Sequence, residues 1–292
     1  MTFAGVFTPV PTPFGADGQL DTARLRAAFA QWVASPITGF VVLGSTGEAV
    51  LLDEMESDRV VVAAREVVPA GRPFIVGTGR ESTAAAVKAA KRAGEFGADA
   101  VLVRTPGFFK PQMTTEAFHR HYTTVADASP VPVLLYNYTA LTGVTLEPDV
   151  VSTLAAHPNI VGMKESGSDM ARMVALLSAV PDGFSVLAGS GSVFHPALKA
   201  GASGGILAIG ALVPEACVRL YELARAGKHD EAQALQDQLM PVARLGSSLG
   251  VPGLKAALNM LGCDVGFPRA PLLPLDAASA EEFRRVLAQW QS

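Results

Sequence analysis

The chain has 292 residues, of which 49% are hydrophobic and only 17% are charged. Its formal net charge is −4 and no basic stripe occurs, so we expect neither nucleic acid nor a membrane surface as a partner. The start of the chain, MTFAGVFTPVPTPF, lacks the regions of a signal peptide, and no apolar run is long enough to cross a bilayer. These features predict a cytoplasmic protein.

Eight short runs rich in valine, isoleucine and leucine recur along the first two thirds of the chain. Each run is continuously apolar, which is typical of strands that are buried on both faces of a parallel sheet. The runs are residues 5–10, 39–48, 73–79, 100–106, 131–137, 159–166, 184–190 and 204–211. Eight strands are also the number that closes a barrel.

Helix-like stretches lie between these runs. Asp21 is placed as the N-cap of one stretch, and Gly97 follows another as a C-cap residue. The clearest helical stretches between strands are residues 21–35, 81–97, 114–129 and 168–180. Alternating strands and helices predict an α/β fold with a parallel sheet.

The end of the chain predicts helices only. Residues 214–246, 251–261 and 279–290 carry helical patterns, and no linker separates them from the strands. We therefore predict a TIM barrel over residues 1–225 and a C-terminal helical segment, 226–292, that packs on the barrel as one structural unit.

Polar residues gather at the carboxyl ends of many different predicted strands. In a closed barrel these ends form a single rim, where catalytic residues lie. In a doubly wound open sheet, the alternative fold, they would concentrate at one switch point. The pattern favours the (β/α)8 barrel.

Lys164 interrupts the apolar run NIVGMKES. A structural ion pair with Glu165 is the simplest interpretation, but neighbouring strand residues point to opposite faces. Burial disfavours the charged form of an amine, and a neutral amine attacks carbonyl groups to form a Schiff base. Lys164 is therefore a candidate for covalent chemistry on a ketone.

Two further groups match the needs of such a lysine. Tyr136, at the end of VPVLLYN, offers a phenol for proton transfer. The GSTGE loop offers the hydroxyl groups of Ser45 and Thr46, and backbone amides beside Gly44 and Gly47, which suit a carboxylate. The alternatives are purely structural: Tyr136 would be an aromatic residue at the barrel rim, and GSTGE a connection between a strand and a helix.

Together these motifs resemble the N-acetylneuraminate lyase/dihydrodipicolinate synthase family of Schiff-base enzymes that use pyruvate. GSTGE resembles the family's G-[ST]-x-G-E loop, LLYNYTALTGV its Y-N-x-P segment, and VGMKES its G-x-K-[DE]-[ST] segment. The resemblance covers essentially the whole chain, and GVPGLKAAL and the trailing helices match the family's helical appendage. It implies an imine on Lys164, proton transfer by Tyr136, and a substrate carboxylate held by Ser45 and Thr46.

The resemblance also implies weaker assignments. Leu207 falls where the family places a backbone carbonyl of strand eight near the substrate. The run HPNIVGMKESGSDMARM is most similar to the 4-hydroxy-2-oxoglutarate aldolase branch, in which Ser166 would help to hold the substrate. That branch, with cleavage of 4-hydroxy-2-oxoglutarate or of a 2-keto-3-deoxy sugar acid, is the leading prediction, and a dihydrodipicolinate synthase-type condensation is the alternative.

Three positions depart from the family pattern. Leu141 stands where the synthases carry an arginine that binds the aldehyde's distal carboxylate, and Thr139 replaces the proline of Y-N-x-P. Phe108 stands where a tyrosine lent by a neighbouring subunit is usual. These departures leave a further alternative, a catalytically impaired homologue that binds a 2-keto acid.

No nucleotide-binding loop and no histidine or cysteine pattern with metal-ligand spacing is found. We expect no cofactor and no metal, only the covalent imine. The expected partners are pyruvate and an aldehyde, and the resemblance implies a homo-oligomer, a tetramer or a dimer.

Overall fold

The computed structural model describes residues 2–290. Eight parallel strands close into a barrel in the order of the sequence. They are β1 (Gly5–Pro9), β2 (Gly39–Val42), β3 (Phe74–Gly77), β4 (Ala100–Arg104), β5 (Val133–Asn137), β6 (Ile160–Glu165), β7 (Ser185–Ala188) and β8 (Gly204–Ile206). The predicted (β/α)8 barrel is confirmed, and each strand lies within one of the eight apolar runs.

Eleven α-helices are found in the described residues. They are α1 (Thr22–Ala34), α2 (Glu54–Arg65), α3 (Thr83–Glu95), α4 (Thr115–Ala128), α5 (Thr139–Thr142), α6 (Pro148–Leu154), α7 (Met170–Ala179), α8 (Phe194–Lys199), α9 (Pro214–Arg225), α10 (His229–Met260) and α11 (Ala277–Leu287). The Asp21 side chain caps α1 by accepting the Arg24 N–H at 2.8 Å, and Gly97 follows α3 with φ of 83°. Both predicted caps are confirmed, since a side-chain oxygen and a left-handed glycine suit these ends.

Alternation along the strands separates two cores. Leu102 and Leu134 belong to a small cluster inside the barrel, whereas Val101 and Val103 pack outward in the large core beneath the helices. Because side chains of adjacent strand residues face opposite sides, this alternation tells which residues at the strand ends point into the barrel.

The C-terminal helices close over the carboxyl end of the barrel. Helix α10 packs against α9 and α11, and it breaks at Gly250, where φ is 59° and ψ is −147°. Residues 246–252 of this break line the cavity described below. The predicted boundary near residue 225 falls in the turn between α9 and α10, and the division into two segments stays a prediction. Within residues 2–290, no helix has the length and apolar character needed to cross a membrane.

Candidate active site

Three neighbouring strands present polar side chains in one layer. Arg104 pairs with Tyr136 between β4 and β5, and Tyr136 pairs with Lys164 between β5 and β6. Arg104 and Tyr136 each lie two residues beyond an inward-facing leucine of their own strand, and Lys164 is the register partner of Tyr136, so all three face the inside of the barrel. The barrel therefore places Arg104, Tyr136 and Lys164 side by side.

Lys164 is buried, with 6% of its surface exposed, and its Nζ lies 4.6 Å from the centre of the Tyr136 ring. Within residues 2–290, no carboxylate lies within 4 Å of this amine. Glu165 faces the other way, where its carboxylate accepts hydrogen bonds from Asn137 Nδ2 at 2.8 Å and from Arg172 Nε at 3.1 Å. The simple ion-pair interpretation of Lys164 with Glu165 is therefore excluded.

The GSTGE loop lies across the barrel mouth from Lys164. Ser45 Oγ is 3.2 Å from the Tyr136 hydroxyl, which connects the loop to the phenol. In the described part of the chain, the backbone N–H groups of Ser45 and Thr46 donate to no acceptor, while Gly47 N–H closes the turn onto Gly44 O at 3.0 Å. Two free amides and two hydroxyls in one turn are groups that suit an anion, and this turn is called the anion-binding loop below.

A buried ion pair supports this loop from below. Glu48, the last residue of the GSTGE loop, adopts φ of 55°, and its Oε1 lies 2.5 Å from Lys255 Nζ on α10. Lys255 is 1% exposed and also donates to the Thr12 and Phe267 carbonyl oxygens, at 2.6 and 2.7 Å. Helix α10 thus contacts the GSTGE loop through this ion pair.

A cavity of about 830 Å³ joins these groups. Five of the six predicted site residues line it: Ser45, Thr46, Tyr136, Lys164 and Ser166. Residues of α10 and Leu141 also line the cavity. Residues that are 120 positions apart in sequence therefore meet around one volume.

Leu207 is not among the cavity-lining residues of the described chain. β8 ends at Ile206, which faces the barrel interior, so Leu207 faces outward into the core beneath the helices. Its carbonyl oxygen accepts the Gly210 N–H at 3.0 Å within the following turn. Ala208 and Ile209 line the cavity in its place. Leu207 therefore lies in the turn after β8, outside the cavity lining of the described chain, because the strand ends at Ile206 whereas the predicted run continues to residue 211. The role of its backbone carbonyl near the substrate stays a prediction.

Several cavity residues were not predicted from the sequence as parts of the site. Arg104 follows an apolar run at the carboxyl end of its strand, much as Lys164 lies near the end of β6, and the same signal would have identified it. Tyr138 lines the cavity with its ring 6.2 Å from that of Tyr136, and burial raises the pKa of Tyr138. The pairing of Glu48 with Lys255 joins residues 207 positions apart and leaves no local pattern.

Gly189 leaves the space in which Lys164 lies. A Cβ at this position would be 2.9 Å from Lys164 Cε and closer still to Ser166 Oγ. We expect Gly189→Ala to lower kcat/KM by about 100-fold, because a displacement of reacting groups by about 1 Å has this effect. Steady-state kinetics, with a thermal melt to confirm folding, tests this.

The matched control is Gly246→Ala. Gly246 also lines the cavity, but a Cβ there would meet only Ile209 Cγ2 at 3.7 Å. This variant should keep its activity and gain up to about 1 kcal/mol of stability, since alanine is the better helix former. Equal losses in both variants would contradict the assigned contact with Lys164.

Among residues 2–290, no group of three histidine, cysteine, aspartate or glutamate side chains could hold a metal ion. The fold and the site define a class of protein: a (β/α)8-barrel enzyme whose polar residues meet at the carboxyl ends of the strands.

Comparison with known proteins identifies the family within that class. The model of the dihydrodipicolinate synthetase family matches residues 2–290, and the chain belongs to this family. It is therefore an enzyme of the lyase/aldolase type, which forms carbon–carbon bonds. The predicted family is confirmed.

Relatives and solved structures match over nearly the whole chain. The 4-hydroxy-tetrahydrodipicolinate synthase of Xanthomonas axonopodis pv. citri is 39% identical and covers 99% of this chain and 95% of its own. The structure of the 4-hydroxy-tetrahydrodipicolinate synthase from Methylacidiphilum fumariolicum SolV has a TM-score of 0.93 at 32% identity, covering 99% and 96%. YagE from E. coli K12, a member of the family solved in complex with pyruvate, has a TM-score of 0.93 at 29% identity, with 99% of each chain covered.

Proposed function

We propose that the chain joins or separates pyruvate and an aldehyde through a Schiff base on Lys164. The observation that carries this proposal is a buried amine without a carboxylate partner, which lies over the Tyr136 ring and opens into the cavity with the anion-binding loop. The solved complex of YagE with pyruvate supports the choice of keto acid.

The chemistry follows from the positions of these groups. The Lys164 amine attacks the keto carbon of pyruvate, and loss of water gives an iminium ion. Loss of a proton from the methyl carbon gives an enamine, which attacks the aldehyde carbon and forms the carbon–carbon bond. Hydrolysis of the iminium releases the product and restores the amine. Cleavage follows the same steps in reverse.

The other residues handle protons and charge. The Tyr136 hydroxyl transfers protons to and from the departing water and the aldol hydroxyl, and Ser45, 3.2 Å away, extends that path. The free N–H groups and hydroxyls of Ser45 and Thr46 bind the pyruvate carboxylate. Ser166, which lines the cavity two residues after Lys164, contacts the substrate chain.

The identity of the aldehyde is less well defined by the cavity and the relatives than that of the keto acid. The curated relatives are named 4-hydroxy-tetrahydrodipicolinate synthases, and these names favour the synthase-type condensation over the predicted 4-hydroxy-2-oxoglutarate branch. Against the synthase reaction stands Leu141, which offers an apolar side chain at the cavity. A panel of pyruvate with aspartate semialdehyde, glyoxylate and sugar aldehydes, together with cleavage of 4-hydroxy-2-oxoglutarate, separates these reactions.

Trapping of the imine tests the proposal. We expect borohydride treatment in the presence of pyruvate to attach the three-carbon acid to Lys164, as peptide mass spectrometry would detect. Protein treated with borohydride alone is the control. A mass spectrum in which Lys164 remains unmodified after treatment with pyruvate would remove the Schiff-base mechanism.

One observation supports the second candidate, a homologue that binds a 2-keto acid without turnover. Phe108 is 77% exposed, lies outside the cavity lining and carries no hydroxyl for proton transfer. A trapped pyruvate adduct with no turnover across the aldehyde panel would favour this candidate. The rings of Phe108 and the neighbouring exposed Phe109 pack edge to face with their centres 5.1 Å apart, and this apolar surface supports the predicted homo-oligomer, a dimer or a tetramer.

A further inference from the structure

Arg104 occupies a position equivalent to that of Lys164, two strands away. It ends β4 as the register partner of Tyr136, which is itself the partner of Lys164. Adjacent strands are about 4.8 Å apart, so the Arg104 and Lys164 backbones are separated by roughly 10 Å on one rim. Both side chains line the same cavity.

The Arg104 side chain is held by protein contacts but keeps free donors. Its Nη1 donates to Glu81 Oε1 at 2.7 Å and to its neighbour's carbonyl, Thr105 O, at 3.0 Å. In the described residues, its Nε and Nη2 have no acceptor. A guanidinium carries five N–H donors, so three of them remain for a ligand in the cavity.

The surroundings of Arg104 keep this side chain in place. Gly79, two residues beyond the end of the neighbouring strand β3, leaves the room that the Arg104 Cγ occupies, and a Cβ there would collide with it. Glu81 is anchored by the N–H groups of Gly107 and Phe108, at 3.0 and 2.9 Å. Burial opposes ionisation of Glu81, but its hydrogen bonds from Arg104 and these amides lower its pKa, so this anchor stays charged.

The charges around the cavity favour an anion. Three cationic side chains line it, Arg104, Lys110 and Lys164. Both acidic residues in the lining are already paired, Glu48 with Lys255 and Glu81 with Arg104. The pyruvate carboxylate accounts for the anion site at the Ser45 loop but leaves the free donors of Arg104 without a partner.

We propose that Arg104 binds a carboxylate carried by the aldehyde substrate, which makes it a specificity-determining residue for an aldehyde acid. This assignment rests on the proposed function. In this assignment the cation that binds the carboxylate is Arg104 on β4. The segment after β5, which contains Leu141, supplies no cationic side chain. The planar guanidinium suits a carboxylate because two parallel N–H groups can bind both oxygens.

Direct binding of two keto acids tests this assignment without any turnover. 2-Oxoglutarate and 2-oxopentanoate have the same five-carbon chain and differ in the terminal carboxylate. Calorimetry on the wild type should give tighter binding of 2-oxoglutarate. Arg104→Met should weaken the binding of 2-oxoglutarate by about 10- to 100-fold, the range for a lost charged hydrogen bond, and leave the binding of 2-oxopentanoate unchanged. The affinity of Arg104→Lys for 2-oxoglutarate should lie between those of the wild type and Arg104→Met.

Arg80→Met is the matched control. Arg80 pairs with Glu54 at 2.8 Å, much as Arg104 pairs with Glu81, and its side chain is 18% exposed against 21% for Arg104. Arg80 does not line the large cavity, so its variant should bind both keto acids as the wild type does. If Arg104→Met weakens both acids equally, or neither, or if Arg80→Met has the same effect, the assignment is overturned. A wild type that binds both acids equally, or binds neither, overturns it as well.

Borohydride trapping separates this failure from failure of the proposed function. If pyruvate is trapped on Lys164 in every variant but calorimetry shows no difference between the two keto acids, only the role of Arg104 is rejected and the proposed function stands. No trapping in the wild type, with Arg104-dependent binding of 2-oxoglutarate, rejects the Schiff base and supports the carboxylate site. If Arg104→Met does not fold in a thermal melt, Arg104→Gln, which keeps polar atoms and loses the charge, replaces it in the comparison.

Discussion

Lys164→Ala should abolish the aldol reaction while leaving a folded barrel. We expect kcat to fall by more than about 1000-fold, beyond the loss caused by removing one oxyanion donor, because the covalent step itself disappears. The substitution removes a side chain that has no ion pair within the described chain, so the fold should tolerate it. Single-turnover kinetics and borohydride trapping measure the loss of the reaction, and circular dichroism of the purified variant tests whether the barrel is folded.

A second lysine in the same cavity supplies the control. Lys110 lines the cavity but is exposed on the short turn Lys110–Gln112. In Lys110→Ala the pyruvate adduct should still form on Lys164, whereas in Lys164→Arg, which keeps a positive charge, it should not. An adduct on Lys110, or substantial activity in Lys164→Arg, would contradict the assignment of the nucleophile.

Lys255→Met should cause the largest loss of stability of any single substitution considered for this chain. The substitution leaves the Glu48 carboxylate buried beside an apolar side chain, and breaking a buried ion pair in this way costs roughly 3–5 kcal/mol. Burial lowers the pKa of Lys255 and Glu48 opposes part of that change, so the pair depends on both partners. Denaturant unfolding monitored by circular dichroism measures the loss.

Two further variants make this result specific to the pair. The double variant Glu48→Gln with Lys255→Met should recover much of the stability, because no uncompensated charge remains. Lys228→Met breaks the ion pair with Glu231, in which both side chains are 53% exposed, and should change stability by less than about 1 kcal/mol. A double variant that is no more stable than Lys255→Met would show that the pair's charges are not the cause.

Lys255→Met should also weaken pyruvate binding if it folds. Glu48 directly follows the anion-binding turn, and its other carboxylate oxygen accepts the Arg269 N–H at 2.8 Å. Loss of the lysine therefore loosens one side of the loop that holds Ser45 and Thr46. We therefore expect helix α10 to contribute to substrate binding through Lys255, although none of its charged side chains enters the proposed chemistry.

The sequence by itself determined the barrel and the centre of the candidate site. Strands buried on both faces must be continuously apolar, and this pattern located all eight strands. A charge at the end of such a strand has few structural explanations, so Lys164 was identified from its local surroundings alone. Tyr136, Ser45 and Thr46 followed because the carboxyl ends of barrel strands meet at one rim, whereas Ser166 was implied only by the family resemblance.

Only the tertiary structure decided which residues at the rim point into the cavity and which residues hold the surrounding loops in place. The register between β4, β5 and β6 places Arg104 beside Tyr136, and the end of β8 at Ile206 turns Leu207 away from the cavity. The pairing of Glu48 with Lys255 joins distant parts of the chain. The physical reason is that side-chain direction changes with every residue of a strand and that long-range pairs have no sequence period. Local patterns therefore define the elements, and packing alone sets the contacts between them.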